Sequence, residues 1–257
     1  MPSVRGEIAR FRHRVFVQKL GWQVKTSPAC SEPCEGEEFD EYDHDETVYV
    51  TLRGHDDVLI GCARLLPARG RYLLGDHFAH LVDDLRSEAG VGGEASVTPV
   101  TPVTRVWELS RFACERPSCG ADGGAFNAAE GARHLLRAAV LAARALGAER
   151  LIGVTFVSLA RLFGRIGVST RRLGVTDRID GRWVAAYRIE IDGESLTALG
   201  LGAGAVRGCD EIWPMGAYSL AGVARSPFGV GENPKDRLRL ALRREVRKVS
   251  SVTSGWL

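Results

Sequence analysis

The sequence predicts an α/β chain with helices packed on a sheet, and three observations predict it. Short apolar runs with strand-like alternation recur along the chain. Between them lie longer runs with apolar residues three and four positions apart, each stopped by a glycine. From Trp107 to Ile191 the order reads strand, helix, strand, helix, strand.

A length of 257 residues allows one large domain or two small ones. An apolar fraction of 45% with 26% charged residues describes an ordinary globule. The net charge of +2 is too small to argue for a nucleic-acid partner. No apolar run reaches membrane-spanning length and the N-terminus lacks a signal-peptide core, so a cytoplasmic protein without stable membrane insertion is expected. Of the six cysteines, Cys30/Cys34 and Cys114/Cys119 lack the spacing of zinc knuckles. In a reducing compartment they are expected, with Cys62 and Cys209, to be free thiols, and no metal is expected.

In chain order, Ile8, Phe11, Val15 and Phe16 give Val4 to Leu20 a helical period, and Gly21 can end it. Arg12 and Phe16 then share a face, and Trp22 follows the break. Thr26 to Gly36 reads as a loop. The carboxylate-rich run Glu37 to Glu46, taken alone, is a solvated face; it lacks the glycine and spacing of a calcium loop. Thr47 to Leu52 and Val58 to Leu66 read as strands, the second carrying Arg64 either as an edge residue or as half of a buried pair. Phe78 and Leu81 suggest a short helical turn, and Ser87 to Thr104 a flexible insertion. After a loop over Cys114 to Gly124, Asn127 to Leu146 is the clearest helix. Arg150 to Val157 is a short buried strand, Ser158 to Ile166 a helix ended by Gly167, and Trp183 to Ile191 a strand. Residues 206–257 form an extension in which Leu238, Leu242, Val246 and Val249 stand at helical spacing among arginines, a basic amphipathic helix.

The stretch Trp107-Glu108-Leu109-Ser110-Arg111-Phe112 is the informative one. Glu108 and Arg111 are three positions apart, and in a straight strand they point to opposite faces. Either one is a surface charge, or a bulge shifts the phase and turns both into one site. Arg12, Arg64 and Arg111 with Glu38, Asp40, Asp43 and Glu108 come from four separate segments. Converged, they can hold a zwitterion, guanidinium forks taking a carboxylate and carboxylates taking an ammonium. Phe16, Trp22 and Phe112 beside them suit a purine or a sulfonium.

Arg12-x-x-x-Phe16 followed by Trp22, then Glu38-x-Asp40-x-x-Asp43, Arg64 and Glu108-x-x-Arg111, resembles in order and spacing the motif set of the acyl-homoserine-lactone synthases, the autoinducer synthases of quorum sensing. The strings from Val15 to Trp22 and from Glu108 to Phe112 are similar to that family's own, and the resemblance spans Arg12 to Ile191, within a synthase domain expected over 1–205. It implies an α/β (α+β) fold like the N-acetyltransferase superfamily, a mixed, twisted sheet flanked by helices and split by a V-shaped opening. It implies S-adenosylmethionine as a substrate and no cofactor. Its amine attacks an acyl thioester, on acyl carrier protein or CoA, and its carboxylate then closes the lactone and expels methylthioadenosine.

Carried onto this sequence, Glu108 and Arg111 are the catalytic candidates, Glu108 as base. Arg12, Phe16, Trp22, Asp40, Asp43, Arg64 and Phe112 are the S-adenosylmethionine-binding candidates. A bulge near Leu109 to Arg111 would offer backbone N–H groups to the thioester oxygen. Phe78, Gly153, Thr155 and Leu162 are the acyl-pocket candidates. In the family a threonine at the position aligned with Gly153 goes with 3-oxo chains, so an unsubstituted chain is expected here. Family members usually have a strand and part of a helix more before the first arginine, whereas eleven residues precede Arg12. The start is misassigned or the sheet lacks a strand. The rival reading is an N-acyltransferase that uses acyl-CoA on another amine; it expects a glycine-rich pyrophosphate loop, of which the sequence has no good version.

Overall fold

Six strands form one sheet in the computed structural model, which describes residues 4–23, 36–44, 46–54, 57–89, 105–115 and 128–201. They are β1 (Val48–Arg53), β2 (Leu59–Pro67), β3 (Val106–Cys114), β4 (Arg150–Phe156), β5 (Thr170–Ile179) and β6 (Arg182–Glu190). Their spatial order is β1-β2-β3-β4-β6-β5. β3 and β4 run parallel and the other neighbours antiparallel, so the sheet is mixed as expected. A parallel pair needs a crossover, and the helix α4 (Ala128–Ala145) lies between the two in sequence.

The ladder between β3 and β4 stops after Glu108 and Ile152. Beyond that point β3 stays paired with β2 out to Cys114, and β4 with β6 out to Phe156. The sheet therefore forks at Glu108.

One face of the sheet is closed by α4, whose Leu135, Leu136, Ala139 and Ala143 pack with Leu65, Trp107, Leu109 and Leu151. Phe163 of α5 (Val157–Ile166) joins that core, and Gly167 at φ +92° ends the helix. On the other face lie two smaller clusters. Against β1 and β2 sits α1 (Val4–Arg12), continued by one π-helical stretch over His13–Lys19, with Ile8, Phe11 and Phe16 on Tyr49, Leu59 and Cys62. Against β4 to β6 sit α2 (Leu73–His77), a 3₁₀ turn at Ala79–Leu81, and α3 (Leu85–Glu88), with Leu74 and Leu81 on Val106, Ile152 and Ala186.

Several expectations change. β5 was not anticipated, although its signal stood in the sequence. Asp180 and Gly181 form a two-residue hairpin loop with φ of +48° and +76°, a turn that Asp-Gly favours. A last helix, α6 (Gly193–Ala198), is capped by the Asp192 side chain accepting from Ser195 N at 2.8 Å. Ser87 and Glu88 belong to α3 rather than to the insertion, and Val157 starts α5 rather than ending β4. The acidic run is not a solvated face, since Glu38 and Tyr42 are buried. Among the described residues no strand precedes α1. Cys62 and Cys114 are free thiols. Cys30, Cys34, Cys119, Cys209, residues 90–104 of the insertion and the extension 206–257 lie outside the described residues.

Candidate active site

The phase shift expected in β3 is present. Arg64 pairs with Ser110 and Cys62 with Ala113, so Arg111 and Phe112 together oppose Ala63. Arg111 adopts φ +50°, a left-handed conformation that costs a non-glycine residue about 1–3 kcal/mol and persists where its surroundings hold it. Here its guanidinium is held by Glu38 (2.9 Å) and Asp40 (2.7 Å). The bulge brings Arg111 onto the same face as Glu108 and Ser110. It sends Phe112 the other way, edge-on to Phe163 of α5 at 5.2 Å. Phe112 is thus a core residue on the α4 side, which corrects its expected place among the ligand-binding aromatics.

Around Arg111 the expected charges converge into a buried cage of three guanidiniums and three carboxylates. Arg12, at the end of α1, bonds Glu38 through Nε, and through Nη1 it bonds Asp43 at 2.8 Å and the Tyr49 hydroxyl at 3.0 Å. Arg64 donates to Ser110 Oγ at 3.0 Å, to Asp40 at 2.5 Å and to Asp43 at 2.8 Å. Burial by itself would raise the Glu38 and Asp43 pKa values. The adjacent guanidiniums outweigh it: Arg12 and Arg111 hold Glu38 below its ordinary range, and Arg12 and Arg64 do the same for Asp43. Arg12 Nη2 and Arg64 Nη2 are buried without a hydrogen-bond partner among the described residues. Arg12 Nη2 lies 3.7 Å from Asp40, so the carboxylates of the cage do not use every guanidinium donor.

The aromatic lining comes from the π-helical stretch. Gly21, at φ +73°, turns the chain so that Trp22 folds back onto Phe16, rings stacked at 4.8 Å. The Arg111 guanidinium lies 5.5 Å from one ring and 5.6 Å from the other. Trp22 also meets Phe156, at the end of β4, at 6.4 Å. The pair thus reaches from the β3 side of the fork to the β4 side.

Glu108 stands apart from these ion pairs. It is fully buried, and its carboxylate accepts the backbone N–H of Leu73 (3.0 Å) and of Leu74 (2.7 Å) in the first turn of α2. Those N–H groups have no intrahelical acceptor, which leaves them available to a side chain. Burial pushes the Glu108 pKa up to about 7, against a smaller opposing pull from Arg64 and the two amides. A carboxylate that changes charge near neutrality can both take and return a proton.

The acyl-pocket candidates do not all meet. Register places Gly153 opposite Tyr187 and Thr155 opposite Ala185, on the face that α5 covers, and Leu162 is half-buried on α5. Phe78 packs with Val154 and Phe156 on the opposite face. The reason is the period of β4: alternate residues leave the strand on opposite sides. Gly153 answers a steric demand as well, because a Cβ there would overlap the carbonyl oxygen of Leu109 where β3 and β4 begin to part. Tyr49 and Ser110 complete the site, and neither is among the residues that the sequence nominates. Tyr49 and Ser110 had a signal, since they share a sheet face with Arg64 by strand register.

Fold and site together define a class, an enzyme with a near-neutral carboxylate and a mixed-charge cage set side by side at the fork of a mixed sheet. The comparisons narrow it. A family model described as autoinducer synthase matches residues 3–199. An acyl-homoserine-lactone synthase of Ralstonia nicotianae is 42% identical over 207 residues, covering 80% of this chain and 92% of its own length. One of Pseudomonas aeruginosa is 33% identical over 180 residues, 70% of this chain and 76% of that protein. The structure of TofI in a ternary complex with an inhibitor and MTA matches with a TM-score of 0.61 at 40% identity, over 79% of this chain and 92% of TofI. The chain belongs to the autoinducer synthase family, the acyl-homoserine-lactone synthases.

Proposed function

We propose that the site makes an N-acyl-L-homoserine lactone from S-adenosylmethionine and an acyl thioester, with Glu108 as the base. The observation that carries the assignment is the placement of the Glu108 carboxylate, buried under α2 on the face it shares with the cage, where burial pushes its pKa up to about 7. The substrate amine loses its proton to Glu108, directly or through one water, and its nitrogen attacks the thioester carbonyl. The tetrahedral oxyanion forms beside the β3 bulge, where the doubled residue leaves backbone N–H groups outside the regular ladder. The nitrogen gives up a second proton to the departing sulfur, so a thiol leaves and a neutral amide remains. The carboxylate oxygen then displaces methylthioadenosine from the carbon bonded to sulfur, closing the lactone. S-adenosylmethionine is consumed, so no cofactor is required.

Arg12, Asp40, Asp43, Arg64 and Arg111 bind and orient the charged end of S-adenosylmethionine, and Phe16 with Trp22 covers the rest. Two features support this. The cage has unpartnered donors at Arg12 and Arg64, and the stacked rings sit directly on Arg111. The acyl chain runs through the fork to the face holding Gly153, Thr155 and Leu162.

Acyl carrier protein or acyl-CoA supplies the acyl group. BjaI, described as a CoA-dependent acyl-homoserine lactone synthase, is 21% identical and shares the fold, with a TM-score of 0.57. For an acidic carrier, Arg161 and Arg165 on α5, Arg172 on β5 and Arg144 in the last turn of α4 are exposed. Arg171 is exposed too, but it is engaged by Glu88 at 2.6 Å, which removes it from the docking set. No helix among the described residues is long and apolar enough to cross a membrane, and we place the enzyme in the cytoplasm. Mass spectrometry of culture extracts from an expressing strain tests the activity: acyl-homoserine lactones are expected, and their absence beside soluble, folded enzyme overturns the reading.

A further inference from the structure

We propose that Tyr42 is a positioning residue that, through Asp76, ties the acidic segment to α2 and so holds the two backbone N–H groups gripping Glu108. This rests on the reading of Glu108 as the base. The bonds to Leu73 and Leu74 mean that the carboxylate is oriented by wherever α2 sits. A five-residue helix has too few internal hydrogen bonds to fix itself, so tertiary ties must place it.

On its inner side α2 is placed by apolar packing of Leu74 and Tyr72, with Gly75 pressed against the Tyr72 ring. On its outer side two kinds of tie exist. Arg71 bridges Glu41 (2.9 Å) and Asp76 (3.0 Å), and His77 lies 3.6 Å from Glu41. These are exposed and screened, and such pairs contribute little. Tyr42 is of the other kind. It is buried, and its hydroxyl donates to Asp76 Oδ2 at 3.0 Å. Its ring lies 5.8 Å from the guanidiniums of Arg64 and of Arg71. Its backbone N–H donates to Asp40 at 3.0 Å, and its carbonyl accepts from Thr47 at 2.7 Å. The backbone of Tyr42 therefore belongs to the cage and its hydroxyl to α2. Burial, then Asp76, raises the Tyr42 pKa, so the hydroxyl remains a donor at working pH.

The charged and titratable groups acting on Glu108 are Arg64 from β2, Asp40 from the acidic segment and Tyr72 at the start of α2, beside the two amides. The amides favour the ionised carboxylate. With Leu74 and Tyr72 still packed in the core, burial is kept while the outer tie is lost and the amides shift, so Glu108 then keeps its proton to higher pH.

Tyr42→Phe removes the hydroxyl and keeps the ring. Its acid limb in kcat/KM should move upward by about half a pH unit or more, with little change in the KM for S-adenosylmethionine. Asp76→Ala should give at least that shift, since it also frees Arg71, and adding Tyr42→Phe to it should move the limb no further, because the hydroxyl link is already broken. Infrared titration of the Glu108 carboxyl band, identified by its loss in Glu108→Gln, reads the shift without turnover. If Tyr42→Phe does not fold, Asp76→Ala carries the test alone. An unmoved band and an unmoved acid limb overturn the tie. Full turnover in Glu108→Gln instead overturns the reading of Glu108 as the base, while the band still reports on the tie.

Discussion

Glu38 and Glu108 are both buried carboxylates on the same side of the sheet, and they behave in opposite ways. Glu38 meets two guanidiniums, which offset its burial and keep it ionised. Glu108 meets two backbone amides, with Arg64 acting on it through its charge, and burial wins. Glu108 is the more deeply buried, and it lacks the two directly bonded guanidiniums that Glu38 has. Full countercharges keep a buried carboxylate permanently ionised, whereas partial dipoles leave its pKa near neutrality. On the proposed mechanism, binding and proton transfer are thereby divided between neighbouring residues of one type.

The largest break in this contrast is Arg111→Ala, which leaves Glu38 and Asp40 short of a countercharge. It should cost about 3–5 kcal/mol and show as a lowered denaturation midpoint or insoluble protein. An unchanged melting temperature would mean that the cage does not bear on folding. Glu108→Gln comes next: turnover should fall about 10²-fold or more, while S-adenosylmethionine binding measured by calorimetry stays within a few-fold. Loss of binding to the same degree would merge the two regions that the structure separates.

Stability should depend on pH with opposite signs in the two regions. Glu38 and Asp43 have lowered pKa values, so their contribution is present above the unfolded values and disappears as pH falls through the folded ones. Glu108 is raised from 4.5 to about 7, so the fold gains from its protonated form and loses stability as pH rises across that interval. Turnover should rise over the same interval. Denaturant melts of wild type and Glu108→Gln resolve it, since the loss between those values should be absent in the variant.

Gly153→Thr sharpens the picture at the fork. Its Cβ overlaps the Leu109 carbonyl, so about 1–3 kcal/mol of stability should be lost as β3 and β4 are forced apart. In wild type, with no hydroxyl at 153, competition between 3-oxo and unsubstituted donors of equal length should show no preference for the 3-oxo chain. The smallest effect is expected at the surface. Reversing Arg165 and Arg172 should raise the KM for acyl carrier protein several-fold and leave that for S-adenosylmethionine unchanged. Identical kinetics would remove this face as a docking site.

Much of this was legible because it is local. The period of Ile8, Phe11 and Val15, the glycine stops at Gly21 and Gly167, and the alternation around Trp107 follow from chain geometry within a few residues. The set of charged motifs, read together, pointed to the family. The Asp180-Gly181 hairpin is equally local, yet the strand pattern read from the sequence omits it, and β5 with it.

What only the tertiary structure decided depends on which distant groups share a face. Arg111 joins the cage because one extra residue opposes Ala63, and the same residue turns Phe112 away into the core. Phe78 and Gly153 lie on opposite sides of β4, a relation set by packing rather than by the composition of either segment. The state of Glu108 is the clearest case. Sequence marks it as a carboxylate in a strand, but its pKa depends on burial and on the amides of α2, thirty-odd residues away in the chain. Electrostatics in a folded protein is governed by distance through space, and the chain specifies that distance only once it has folded.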